Sequence, residues 1–257
     1  MSYWNNLNLQ IGASPYIQPF VTTTHAPKFN TSGTTFEGVT LPYSDSFGFE
    51  GQKYFSIPSK KLEQDAKASA TIKELCKKYN IPIKLNVEEL KNIKSHLLNS
   101  KSLASSILSA LPEEMKSQVD SAVLQEAALL HDYGKILIPQ KILNKEGSLN
   151  EKEKEIMQLH SAFGYELLKK QGVSKEALRL IKYHHQTPDG KGYPQIEKDF
   201  EYDIASQILR AVDKYTALTE KRCYKPAYTR EEALASINED VYISKEVFEA
   251  LKQKTSI

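Results

Sequence analysis

The sequence of 257 residues predicts an all-α domain behind an irregular N-terminal extension. Three observations carry that expectation. From residue 59 onward apolar side chains recur at helical spacing, residues 60–257 hold no alternating strand pattern, and Pro, Asn and Gly punctuate the periodic runs. Residues 1–58 differ: Asn, Ser, Thr, Gly, Pro and single aromatics follow one another with no period and few charges. The organisation expected is an irregular or disordered extension over 1–58, a helical connector over 59–84 and a helical domain over 85–257.

In the extension, Trp4, Tyr16, Phe20, Phe29, Phe36, Tyr43, Phe47, Phe49, Tyr54 and Phe55 are open to two readings. They anchor an extended arm on the domain or on a partner protein, or they belong to a disordered tail, which is the plainer reading. Residues 59–79 carry good helix formers without Gly or Pro, which predicts one continuous helix stopped by Asn80 ahead of Pro82. That helix is a connector, a part of the domain or a dimerisation element. Over 87–111, Leu90, Ile93, Leu97, Leu103, Ile107 and Leu108 form one stripe, ended before Pro112. Residues 117–130 make the next helix and deliver His131-Asp132-Tyr133-Gly134-Lys135, with Gly134 read as a helix-ending glycine. Asn150 or Ser148 caps an acidic helix start that runs on to about residue 170 and carries His160. Helices over 174–185 and 203–219 bring His184-His185 and Asp213, with a glycine-rich loop between them. Thr229 and Glu232 form a capping box into another helix, and 244–254 gives the last.

Composition narrows the function. A net charge of +2 without a basic block argues against binding a nucleic-acid polymer. Cys76 and Cys223 are too few and too far apart for a disulfide framework or a CxxC zinc site, so a reducing, cytoplasmic setting fits. No signal peptide and no run of about 18 apolar residues is visible, so no membrane span is expected.

Chemistry concentrates elsewhere. Five of the six histidines lie between residues 96 and 185. Imidazole beside carboxylate, as in His131-Asp132, is what a hard-to-borderline divalent metal asks for. Neighbouring helical residues point about 100° apart, so other elements must complete such a shell. For the same reason one of the adjacent pair His184-His185 is a candidate for a supporting role. Asp213 interrupts an apolar helical face, and a buried carboxylate wants a cation or several donors. Lys135 offers a point charge to a phosphate.

HDYGK, the isolated His160, HHQTPDGKGYP and RAVDKYTALTEKRCYKPAY, in this order and spacing, resemble the HD-GYP family. That family is a branch of the HD phosphohydrolases whose members hydrolyse cyclic dinucleotides, chiefly cyclic di-GMP. The resemblance covers about residues 90–240 and implies an HD-domain helical bundle with a two-metal centre. In it Asp132 bridges, His131 and Asp213 serve one ion, and His160, His184 and His185 serve the other. Lys135 touches a phosphate oxygen, Gly192, Tyr193 and Pro194 shape the site, and Arg222 and Lys225 lie near the substrate phosphates. Iron or manganese suits these ligands, zinc less distinctively.

The chain also departs from the pattern. The family supplies one more histidine where this sequence has Asn99; His96 lies one turn earlier on a similar face. Three outcomes are open: His96 substitutes, Asn99 coordinates weakly, or the first metal is loosely held. The last is the reading favoured. Thr216, Gln207 and Gln186-Thr187-Pro188 also replace residues usual in the family. The leading expectation is a metal-dependent phosphodiesterase for a cyclic dinucleotide. A weakened signalling adaptor and a hydrolase of other nucleotide phosphoesters are the alternatives.

Overall fold

The computed structural model describes residues 53–220 and 227–256, with the backbone of 35–36 and 39–40. Most of the extension, including His25 and all its aromatics before Tyr54 except the backbone of Phe36, lies outside the described residues, as do Arg222 and Lys225. Within the extension, β1 (Thr35–Phe36) pairs antiparallel with β2 (Val39–Thr40), Thr35 opposite Thr40. From residue 53 onward the described residues are helical or irregular, with no strand.

The stretch 59–79 is not one helix. Helix α1 (Ser59–Ala68) and helix α2 (Ala70–Tyr79) are separated by Ser69, whose backbone is extended at ψ 123°. The Ser69 hydroxyl accepts the Ile72 N–H at 3.2 Å, an N-cap that restarts the helix, and donates to Glu166 at 2.5 Å. Serine among helix formers carries no breaker signal, but its side chain competes for backbone N–H groups and so selects the cap. Asn80 does close α2 in the left-handed conformation, at φ 52°. Leu62, Ala66, Ile72 and Cys76 are all buried, so the apolar faces of both helices are turned inward.

Helix α3 (Val87–Ala110) is the spine: 24 residues, about 36 Å of helix. It buries Leu90, Ile93, His96, Leu97, Ser100, Leu103, Ala104, Ile107 and Leu108 at intervals of three and four. His96 therefore sits on the inward stripe. Helix α4 (Ser121–Leu130) starts later than the sequence suggests. A single turn at Glu113–Lys116 comes first, and then Asp120 caps α4 by accepting from Ala122 and Val123 N–H at 2.8 and 3.2 Å.

After α4 the chain tightens into a 3₁₀ turn (Tyr133–Leu137) that packs on α5 (Glu151–Leu168). Gly134 is a packing glycine, not a helix cap. A Cβ there would stand 1.9 Å from the His160 carbonyl oxygen and 2.4 Å from Gly164 N. The Asn150–Glu153 capping box opens α5, with Glu153 N–H to Asn150 at 2.9 Å and Asn150 N–H to Glu153 at 2.8 Å. Helix α6 (Lys175–Tyr183) follows a Ser174 cap, and α7 (Ile204–Thr219) follows an Asp203 cap. Helices α8 (Arg230–Asn238), with the Thr229–Glu232 capping box, and α9 (Lys245–Lys254) close the domain. Helices α4, α7 and α9 all pack against α3.

Of the extension's aromatics, Tyr54 and Phe55 have described side chains. Tyr54 is buried: its hydroxyl donates to Glu126, and its carbonyl accepts the Tyr133 hydroxyl at 2.9 Å. Lys94 lies over the Phe55 ring at 5.6 Å. Among the described residues no helix is long and apolar enough to cross a membrane.

Candidate metal centre

Three histidines are aimed by the backbone in the same way. His131 terminates α4 and donates Nδ1–H to the Ala128 carbonyl at 2.9 Å. His160, inside α5, donates to Met157 at 2.7 Å, and His184, just past α6, to Ile181 at 2.8 Å. A fourth, His96 on α3, donates Nδ1–H to Glu220 Oε2 at 2.9 Å. The hydrogen-bond network thus assigns the proton to Nδ1 in His131, His160 and His184 and leaves their Nε2 atoms as acceptors, while the Nδ1 of His96 is held by a carboxylate. The Nε2 atoms face one another, His160 to His184 at 3.1 Å and His96 to His131 at 3.4 Å. The opposed lone pairs of His160 and His184 repel at that range unless a cation lies between them.

Two carboxylates complete the arrangement. Asp132 has Oδ1 3.4 Å from His160 Nε2, while Oδ2 is 3.3 Å from His96 Nε2 and 3.6 Å from His131 Nε2. Asp213 has Oδ1 3.6 Å from His131 Nε2 and Oδ2 3.7 Å from His185 Nδ1. Each carboxylate reaches towards two groups of ligand atoms. One group is His96, His131, Asp132 and Asp213; the other is His160, His184 and His185. Within each, the ligand atoms lie within 4.8 Å of one another. The donor set fits divalent cations held by imidazole and carboxylate.

His184 and His185 both reach the cluster because α6 ends at Tyr183, so the one-face limit of a helix no longer separates them. Their ring centroids are 4.0 Å apart. On α3 the inward position belongs to His96, whereas Asn99 is half-buried one turn further along. The sequence favours a first group short of one imidazole; the fold brings a histidine to that group from a different turn.

Burial lowers the pKa of His160 and lowers that of His184 well below the imidazole range, the latter with help from the neighbouring rings. His185 falls to about 3, burial again being the largest cause. For His96 burial also pulls down, but the bonds to Asp132 and Glu220 outweigh it and push the ring up to about 9. Burial would raise Asp132, yet the charges of Lys135 and His131 hold it well below the usual carboxylate range. Lys135 Nζ lies 2.5 Å from Asp132 Oδ2.

The loop after His185 forms one wall. Tyr193 lies over His185, centroids 4.6 Å apart and planes tilted by 33°. Gly192 permits the approach, since a Cβ there would meet the His185 carbonyl oxygen at 2.2 Å. Buried Gln186 pins the loop: Oε1 accepts Thr187 and Gly192 N–H, both at 2.8 Å, and Nε2 donates to the Pro194 carbonyl at 2.6 Å. Sequence reasoning noted Gln186 only as a departure and missed Glu220 altogether. The signal for Gln186 was its place beside the histidine pair; for Glu220 it was a position seven residues past Asp213, on the same helix face.

Comparison with known proteins bears on this geometry. The HD-domain family matches residues 84–242, well over half of the chain. A 3'3'-cGAMP-specific phosphodiesterase of Vibrio cholerae is 35% identical over 143 residues, 55% of this chain and 31% of the relative. A cyclic di-GMP phosphodiesterase of Thermotoga maritima is 37% identical over 130 residues, 49% of this chain and 35% of the relative. The matched region thus spans about a third of the length of these relatives. Among solved structures, the HDG"Y"P protein Bd1817 from Bdellovibrio bacteriovorus has a TM-score of 0.49 at 16% identity, covering 82% of this chain and 74% of that one. The chain belongs to the HD-domain family, in its HD-GYP branch.

Proposed function

We propose that the chain is a metal-dependent phosphodiesterase that hydrolyses a 3′,3′ cyclic dinucleotide, cyclic di-GMP first among them. The observation that carries this reading is the convergence of four Nδ1-anchored imidazoles and two carboxylates on one buried centre. His96, His131, Asp132 and Asp213 would hold one divalent ion, and His160, His184 and His185 a second. Asp132 has an oxygen for each. Iron or manganese suits this shell best. Bound ions supply Lewis acidity, an activated water and charge neutralisation at the phosphate.

The remaining work falls to the chain. Backbone carbonyls and Glu220 hold the rings in register, so little reorganisation is needed when a ligand arrives. Lys135, resting on Asp132, offers its ammonium to a non-bridging phosphate oxygen. Tyr193 offers an aromatic face beside His185, and Gly192 and Pro194 set its position. Arg222 and Lys225 are assigned to the substrate phosphates on the strength of the family pattern. A second reading, 3′3′-cGAMP as the substrate, is favoured by the name of the Vibrio cholerae relative.

The test is hydrolysis of cyclic di-GMP and 3′3′-cGAMP by protein loaded anaerobically with iron or manganese, beside Asp132→Ala. Linear dinucleotide or mononucleotide from the wild type alone is the expected result. No product from a folded, metal-bearing chain would redirect the reading to another phosphoester or to a non-catalytic signalling role.

A further inference from the structure

We infer that Glu220 is the positioning residue for the His96 imidazole, and through it for the group formed with His131, Asp132 and Asp213. This rests on the metal reading above. His131, His160 and His184 are each aimed by a carbonyl three residues back on their own element. His96 is aimed instead by a side chain 124 residues away, Glu220 Oε2 at 2.9 Å from Nδ1. A carboxylate behind a metal-facing imidazole fixes its tautomer and ring plane more firmly than a neutral carbonyl, because the bond is charge-assisted.

The placement follows from α7. Asp213 and Glu220 are seven residues apart, close to two turns, so they share a face of that helix. Glu220 sits at its C-terminal cap, where the backbone turns extended at ψ 135°, and its side chain is only 25% exposed. One helix thereby supplies a carboxylate to the ligand group and the carboxylate that aims its neighbour. The bond also ties α7 to α3, which brings His96 to this group although Asn99 occupies the position where the family's pattern has a histidine.

The plainer account is an ion pair that merely joins two helices, and Mn²⁺ binding separates the two. Affinities and stoichiometry are measured by paramagnetic resonance titration with Mn²⁺ alone, on variants whose circular dichroism matches the wild type. Glu220→Ala is expected to weaken one of two bound ions by about 10- to 100-fold and leave the other unchanged. Glu220→Gln should keep most of that affinity, since an amide oxygen still accepts from Nδ1–H. In a His96→Ala background, Glu220→Ala should cost nothing further. Unchanged affinities in Glu220→Ala, or an equal loss with and without His96, would overturn the inference while leaving the metal centre standing. A wild-type chain that takes up no Mn²⁺ would overturn both.

Discussion

His160, His184 and His185 come from α5 and the end of α6, two helices in direct contact, and two of these three rings are oriented by carbonyls three residues back. His96, His131, Asp132 and Asp213 come from α3, the end of α4 and α7, and His96 depends on a residue far along the chain. The first half is largely local: for His160 and His184, neighbours in sequence decide where the ring points. The second half is assembled by tertiary packing, so its geometry is only as good as the seating of α3 and α7. The electrostatics differ in the same sense. Burial keeps the first set of imidazoles neutral, while Glu220 and Asp132 favour charge on His96.

The largest effect should come from Asp132, whose two oxygens face the two halves. Asp132→Ala is expected to abolish turnover, by about 10³-fold or more, and to weaken both ions in a metal titration. Loss of one ion only would mean the halves are independent. Gly134→Ala comes next. Its methyl group would collide with the His160 carbonyl and drive the Asp132 turn away from α5. A loss of about 3 kcal/mol in urea denaturation is expected, because backbone cannot yield as a side chain can.

Gln186→Ala should touch the imidazole half alone. It leaves the Thr187 and Gly192 N–H groups and the Pro194 carbonyl without their partner, at about 2 kcal/mol. The KM for the dinucleotide should rise as the Tyr193 loop loosens, with the ion at His131 unaffected. Asp240→Asn is the smallest and acts on the other half. Asp240 accepts from Arg210 at 2.9 Å and Lys214 at 2.6 Å, both on α7. Burial would raise this carboxyl, but the two cations hold it below its ordinary value. Its contribution, about 1–2 kcal/mol, is therefore present above pH ~4 and lost as pH falls through the depressed folded value. Wild type and variant should melt apart at pH 7 and converge in acid.

What could be read from the sequence follows the same division. Asn150, Ser174, Asp203, Thr229 and Ser244 mark helix starts because an N-cap is a local bond between a side chain and the next turn, and Asn80 marks an end because asparagine tolerates the left-handed conformation. The motif histidines were visible for the same reason. Ser69 was not, because a serine among alanines and lysines splits a helix only when a partner such as Glu166 rewards it. Gly134 looked like a helix end, but its reason is contact with α5, 26 residues on. His96 could be seen on the α3 stripe beside Ile93 and Leu97, yet its orientation depends on Glu220, which no spacing rule connects to it.

The measurement that tests the central claim most directly is the number of Mn²⁺ ions bound by the metal-stripped chain, in wild type and in Asp132→Ala. Two ions in the wild type, with both weakened in the variant, is the predicted result. A single ion or none in the wild type, or two retained at full affinity without Asp132, would contradict it.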